Sequence, residues 1–157
     1  MPTATQIQEW LQACFDKKEI SYELVDTNLT LKAQFPLDCK LKHFNAFFVC
    51  RDDSYTVNSY IALNADEDSR QRVAEYITRA NYGLRFGNFE MDYTDGETRF
   101  RMTVDCEDRD SLSDGMIMSS IILPMRMYER YGDGLVAVMY GFLTPEAAIV
   151  EAEKDRE

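Results

Sequence analysis

YGLRFGNFEMDYTDGETRFRMTVD, residues 82–105, carries two glycines, Gly83 and Gly87, and then a run in which apolar and charged residues alternate on either side of Asp95-Gly96. Read as a glycine loop, it would cradle a phosphate and point to an enzyme. Read as a helix end followed by a hairpin, it builds an antiparallel sheet. The residues favour the hairpin. Gly83-Leu84-Arg85-Phe86-Gly87 lacks the terminal Lys-Ser/Thr pair that reaches phosphates and magnesium, and it follows a helical pattern and precedes a strand, the reverse of a P-loop. Asp-Gly suits a two-residue hairpin turn, because both turn positions want positive φ. Closing the turn there sets Thr94 against Glu97 and brings Phe89, Met91 and Tyr93 opposite Met102, Phe100 and Thr98 on one face. On the other face Glu90 meets Arg101 and Asp92 meets Arg99, so an apolar and an ionic pattern predict the same register.

Upstream, residues 66–82 repeat Val73, Tyr76, Ile77 and Ala80 at helical spacing, with Asp66, Glu67 and Asp68 in the favoured first turn and Asn81 and Gly83 as terminators. Segments 44–51 and 54–63 form a second hairpin closed by Asp52-Asp53, with Phe44, Ala46, Phe48 and Cys50 sharing a face with Tyr55, Val57, Ser59 and Ile61. Residues 22–26 and 29–35 are β-like, the latter stopping at Pro36. A capping box at Thr3 or Thr5 with Gln6 or Gln8 opens a first helix, whose stripe is Ile7, Leu11, Cys14 and Phe15. Downstream, Ser111 or Ser113 caps a third helix that Pro124 is expected to bend or break near Ser120, with Gly132 and Gly134 interrupting again. The segment 135–142 is apolar and of undecided type. Thr144-Pro145-Glu146 starts a last helix, and the charged tail 151–157 is expected to fray.

The chain of 157 residues reads as one domain, with 45% hydrophobic residues and a formal net charge of −11 from 28 acids against 17 Lys and Arg. So negative a surface repels phosphate backbones, which argues against nucleic acid and anionic membranes; the densest basic cluster, Lys40-Leu41-Lys42-His43, is too short to override it. The first cation is Lys17, so no signal peptide is expected, and no apolar run is long enough for a spanning helix. Cys14, Cys39, Cys50 and Cys106 are scattered without a C-x-x-C pair, which implies reduced thiols and a cytoplasmic setting.

No catalytic, cofactor or metal constellation emerges. The single histidine, His43, opens a strand between Lys42 and Phe44, where it reads as a surface or strand-edge residue. The acidic loop 105–110 fits no EF-hand frame. Five of the eight methionines lie between Met116 and Met139, among Tyr128, Tyr131, Tyr140 and Phe142. Thioethers suit surfaces that accept several partners, and they also fill irregular cores. Met116, Met118, Met125, Met127, Tyr128 and Tyr131 are therefore the candidate protein-binding or dimer surface, with core filling around Pro124 as the other reading.

Ala80-Asn81-Tyr82-Gly83, then Phe86-Gly87-Asn88-Phe89-Glu90, an acidic turn with Gly96, and Arg99-Phe100-Arg101 together resemble the YbjN-type domain, a bacterial family labelled as sensory-transduction regulators. The stretch 128–138 and Thr144-Pro145-Glu146-Ala147 are similar to the family's closing region. The resemblance is clearest over 66–148. It implies an α+β fold like that of type III secretion chaperones: an antiparallel five-stranded sheet with helices on one face, in the order α-β-β-β-α-β-β-α. It also implies a cytosolic homodimer with a protein partner, and it carries over no catalytic residue and no cofactor. The expected function is a non-enzymatic, regulatory or chaperone-like protein-binding domain. The other expectation is a small-molecule sensor or enzyme with a pocket between sheet and helices near Tyr55, Tyr60 and Phe47.

Overall fold

A computed structural model describes residues 1–25 and 29–154. The elements run α1 (Ala4–Lys17), β1 (Glu23–Val25), β2 (Thr30–Pro36), β3 (His43–Arg51), β4 (Ser54–Tyr60), α2 (Arg70–Asn81), β5 (Asn88–Met91), β6 (Thr98–Asp105), α3 (Asp114–Met139) and α4 (Pro145–Ala152). The sheet is antiparallel and has six strands, in the order β1-β2-β3-β4-β6-β5, instead of the five expected. The five-strand order leaves out the β-like run that opens at residue 22: it forms β1, whose three residues pair with Lys32, Leu31 and Thr30 of β2, and the chain ends in two helices, α3 and α4, where that order has one. Asp26, the expected end of that run, lies outside the described residues, as do 155–157 of the charged tail.

Alternation along the strands decides which face is inside. Leu31, Ala33, Phe44, Ala46, Phe48, Tyr55, Val57, Phe89 and Phe100 are buried, and the helices pack over them. Phe15 of α1 meets Phe48 edge-on at 5.1 Å, and Tyr128 of α3 packs between Phe44 and Phe89. The buried tyrosines each find a partner: Tyr55 Oη donates to Ser120 Oγ (3.1 Å), Tyr128 Oη to the Ser59 carbonyl (2.6 Å) and Tyr76 Oη to the Tyr131 carbonyl (2.6 Å). A phenol buried here without an acceptor would cost free energy, so these bonds fix α3 against the sheet and α2 against α3.

Local chemistry explains most element ends. Thr3 and Gln6 form the capping box of α1, and the stripe Ile7, Leu11, Cys14 and Phe15 is buried as its spacing predicts. The β3–β4 hairpin takes the predicted register, with Cys50 opposite Tyr55 and Ala46 opposite Ser59. Helix α2 begins four residues later than its acidic run suggested, because the Asp66 carboxylate accepts the Ser69 N–H (3.0 Å) and closes a turn ahead of the helix.

The hairpin at 88–105 forms, but its register is shifted by two residues. Glu90 opposes Arg99 and Phe89 opposes Phe100. Of the two residues expected to build the turn, only Gly96 takes positive φ (76°), so a two-residue turn is not made. Instead Asp92 turns its carboxylate onto the Thr94 N–H (2.8 Å), and its carbonyl accepts from the Gly96 N–H (2.7 Å). That Thr94 bond, with Arg70 and Arg99 nearby, holds the Asp92 carboxyl below its usual range. A shift of two leaves every side chain on its predicted face.

Helix α3 is the other correction. It runs unbroken through Pro124, Gly132 and Gly134. Proline forfeits one backbone hydrogen bond, but Pro124 is itself buried within the apolar stripe, and packing offsets the loss. The glycines are notches for neighbours: a Cβ on Gly132 would sit 2.8 Å from Leu41 Cδ1, and one on Gly134 would overlap the Tyr76 hydroxyl. The segment of undecided type, 135–142, is the end of α3 and the turn after it. Thr144 then caps α4, with Pro145 at its first position.

Candidate protein-binding surface

The six residues singled out for partner contact do not share one surface. Tyr128 and Tyr131 are core, 0% and 1% exposed. On a helix of 3.6 residues per turn, Met118 and Met125 fall on one flank of the buried stripe, with Ile122 between them. Met116 and Met127 fall on the opposite flank with Leu123. All four methionines are half-buried, and Met116 Sδ receives an N–H from Arg109 (3.8 Å). Ile122, 37% exposed, is the apolar residue that opens the first flank to solvent. The expected pocket around Tyr55, Tyr60 and Phe47 is not formed, because Tyr55 points into the helical layer while Tyr60 and Phe47 stand on the other side of the sheet.

That other side is the feature the sequence reading passed over. Its residues alternate with the buried set and remain half-exposed across four strands. Phe47 and Tyr60 meet edge-on at 5.6 Å. Lys32 Nζ lies 5.7 Å from the centre of the Phe47 ring and 3.4 Å from Glu23. Arg99 stacks on Tyr60 at 5.8 Å, donates to Tyr60 Oη (2.9 Å) and binds Glu90 Oε2 through Nε (2.8 Å) and Nη2 (2.7 Å). Burial works against the charge of Arg99, yet Tyr60 and Glu90 hold its pKa above the ordinary value. Arg101 Nη1 stays 3.7 Å from Glu90 Oε1. Asn58 Oδ1, in the middle of the face, is shut off from solvent and has no hydrogen-bond partner among the described residues. Shallow depressions border the face on both sides, one lined by Glu90, Asp92, Glu97 and Arg99, the other by Tyr22, Glu23, Lys32 and Gln34.

The edges of the sheet are guarded. The Asn81 side chain acts as a one-residue strand against β5, with Nδ2 donating to the Phe89 carbonyl (2.9 Å) and Oδ1 accepting the Phe89 N–H (2.7 Å). At the far edge β1 is only three residues long, and β2 ends at Pro36, which has no N–H to offer.

The residues that bear on catalysis are dispersed. His43 sits at the start of β3 opposite Pro36. Gly83 and Gly87 take positive φ (83° and 71°) to end α2 and enter β5, and a Cβ on Gly87 would lie 2.7 Å from the Phe100 ring. The four cysteines are free thiols; burial pushes Cys50 up to about 12 and Cys106 up to about 11, away from thiolate reactivity. Among the described residues no group of three or more His, Cys, Asp or Glu is placed to hold a metal, and no helix is long and apolar enough to cross a membrane.

An antiparallel sheet with helices to one side defines the class: a mixed α+β fold of the YbjN type. Two solved structures carry that assignment. The chain superposes on YbjN of E. coli, described as a candidate transcription regulator, with a TM-score of 0.58 over 89% of this chain and 94% of that one, at 9% identity. It superposes on a chain of the ExsC–ExsE complex with a TM-score of 0.51 over 83% of this chain and 96% of that one, also at 9% identity. No family model and no curated protein matches the sequence. Identity this low shows a shared fold and nothing about shared partners.

Proposed function

We propose that this chain is a non-enzymatic protein-binding domain, regulatory or chaperone-like, that works in the cytoplasm as a homodimer. The observation that carries the reading is the uncovered sheet face, on which aromatic rings and cations stand half-exposed although the opposite face is fully packed. Sheets with one solvated face are ordinary, but solvated faces are usually dressed in short polar side chains, whereas this one presents Phe47, Val49 and Tyr60. The fold neighbours lean the same way: one is described as a candidate regulator, the other is part of a complex of two proteins. The dimer contact belongs on the flank of α3 that carries Met118, Ile122 and Met125, where flexible thioethers surround an exposed isoleucine.

Photo-crosslinking in the source cell tests both parts. A benzophenone side chain at position 47 is expected to give an adduct with a different protein, and one at position 122 an adduct of twice the chain mass. Light scattering of the purified chain should give a dimer mass that Ile122→Asp halves. A monomer at all accessible concentrations, with no adduct from position 47, overturns the proposal.

A further inference from the structure

The uncovered face carries a pattern that selects among partners, and this selection rests on the protein-binding reading above. Lys32, Phe47, Asn58 and Arg101 lie in one cross-strand row. Three strand spacings separate its ends, so the two cations stand about 14 Å apart, with an aromatic ring and an amide between them. Arg99 and Arg101 share the single carboxylate of Glu90, and Arg99 takes its close contacts. Arg101, 42% exposed at its side chain, makes no hydrogen bond among the described residues beyond the strand ladder. A guanidinium is built to grip a carboxylate with two parallel N–H donors, and this one is unspent.

Three occupants compete for the row. A second copy of the chain is disfavoured by symmetry, since a two-fold axis must lie in the plane between the two faces. Set along the strands, it lays Lys32 of β2 over the arginines of β6; set across them, it lays β6 over β6. With the axis through the middle of the row, either setting brings cation against cation. A nucleic acid would gain the arginines and the aromatic platform, but its phosphates would run over Glu23 at one border and Glu90, Asp92 and Glu97 at the other, on a chain of net charge −11. A polypeptide brings its carboxylates singly, where the cations are.

We propose that the uncovered face binds an extended polypeptide segment with two carboxylate side chains flanking an apolar one, seated on Arg101 and Lys32 with the apolar residue on Phe47 and Tyr60. At about 3.3 Å per residue, a 14 Å span places the carboxylates about four residues apart on one side of the segment. The segment lies across the strands, because the guarded edges leave it little backbone to pair with.

The test is a titration of the full-length, 15N-labelled chain followed by NMR. One synthetic peptide has a central phenylalanine with a glutamate two residues away on each side. A second has glutamines in their place, and a third probe is oligothymidine. The glutamate peptide is expected to move the amides of Phe47, Asn58, Tyr60 and Arg101, and to bind about tenfold or more tighter than the glutamine peptide. Arg101→Gln should erase that difference and Arg101→Lys restore part of it; both lie on an exposed strand face and leave the core untouched. Equal binding of the two peptides, an indifferent Arg101→Gln, or tighter binding of oligothymidine to these amides overturns the proposal. Shifts confined to the flanks of α3 also overturn it, while leaving intact the broader reading, which the crosslink at position 47 tests separately.

Discussion

Replacing Asn81 with leucine removes the guard of the β5 edge while keeping the side chain's size. Two hydrogen bonds are lost, Nδ2 to the Phe89 carbonyl at 2.9 Å and the Phe89 N–H to Oδ1 at 2.7 Å. Each contributes about 1 kcal/mol net, and stranding a part-buried backbone group adds to the loss, giving a cost of about 2–3 kcal/mol. Leucine is a better helix former than asparagine, which returns a few tenths of a kcal/mol at most. With a urea slope of about 2 kcal/mol per molar, the unfolding midpoint should fall by about 1 M. The Phe89 amide should also lose hydrogen-exchange protection ahead of its β6 neighbours, because the change is local. Asn81→Asp keeps the acceptor but turns the donor into an oxygen facing the Phe89 carbonyl, so it should cost as much as leucine. A midpoint unchanged within about 0.2 M, with the Phe89 amide still protected, would show that water substitutes for the side chain and that the edge is not guarded in this way.

Gly96→Ala should destabilise by about 2–3 kcal/mol in the same urea assay, since a Cβ at φ 76° is strained and would overlap the Ala65 carbonyl, breaking the Ala65 N–H to Gly96 carbonyl bond of 2.9 Å. Gly134→Ala should cost about 1–2 kcal/mol despite alanine's helix preference, because the new methyl meets the buried Tyr76 hydroxyl; Tyr76→Phe in the same chain should relieve part of the clash, seen as a non-additive double-mutant cycle. Burial pushes Cys106 up to about 11 and Cys50 up to about 12, and burial followed by the Glu153 hydrogen bond pushes Tyr131 up to about 12. The folded state then holds protons that the unfolded chain releases from about pH 8.5 upward, so stability is full below that and lost as pH rises toward about 12. Thermal melts across that range, with tyrosinate absorbance as the second readout, should show the loss; a flat profile would contradict it.

The elements legible in the sequence are those whose information is local. A capping box, an apolar stripe such as Val73-Tyr76-Ile77-Ala80, and the alternation of 44–51 against 54–60 are each complete within one or two turns of chain. The register at 88–105 is not legible in the sequence because two patterns that shift together by two residues remain mutually consistent, so their agreement does not discriminate. Only the side chain of Asp92, which could face Arg99 or close the turn, breaks the tie, and that choice depends on Gly96 docking against Ala65. In α3 the local signals of Pro124, Gly132 and Gly134 are outvoted by long-range ones: the glycines receive Leu41 and Tyr76, whose sequence positions reveal nothing of their destination. Asn81 illustrates the same limit. Its composition suits a helix end, but the partner of its amide lies on the strand that follows.

The candidate surface was harder to read for a further reason. A methionine cluster is conspicuous in a sequence and inconspicuous in a fold, since four of its five members flank a buried stripe, half-buried, and Met139 is buried outright. Phe47, Tyr60 and Arg101 sit in separate strands, each alone among neighbours of the other face, and become one surface only when β3, β4 and β6 pair. The distribution of protection across the sheet then acquires a meaning. Both edges, where stray strands would add, carry specific guards: an asparagine amide at one, a short strand and a proline at the other. The open face presents Phe47, Val49 and Tyr60 half-exposed among Lys32, Arg99 and Arg101. On the proposed reading the face receives its occupant through side chains, and Arg101, whose side chain makes no hydrogen bond among the described residues, is the residue whose substitution measures that recognition most directly.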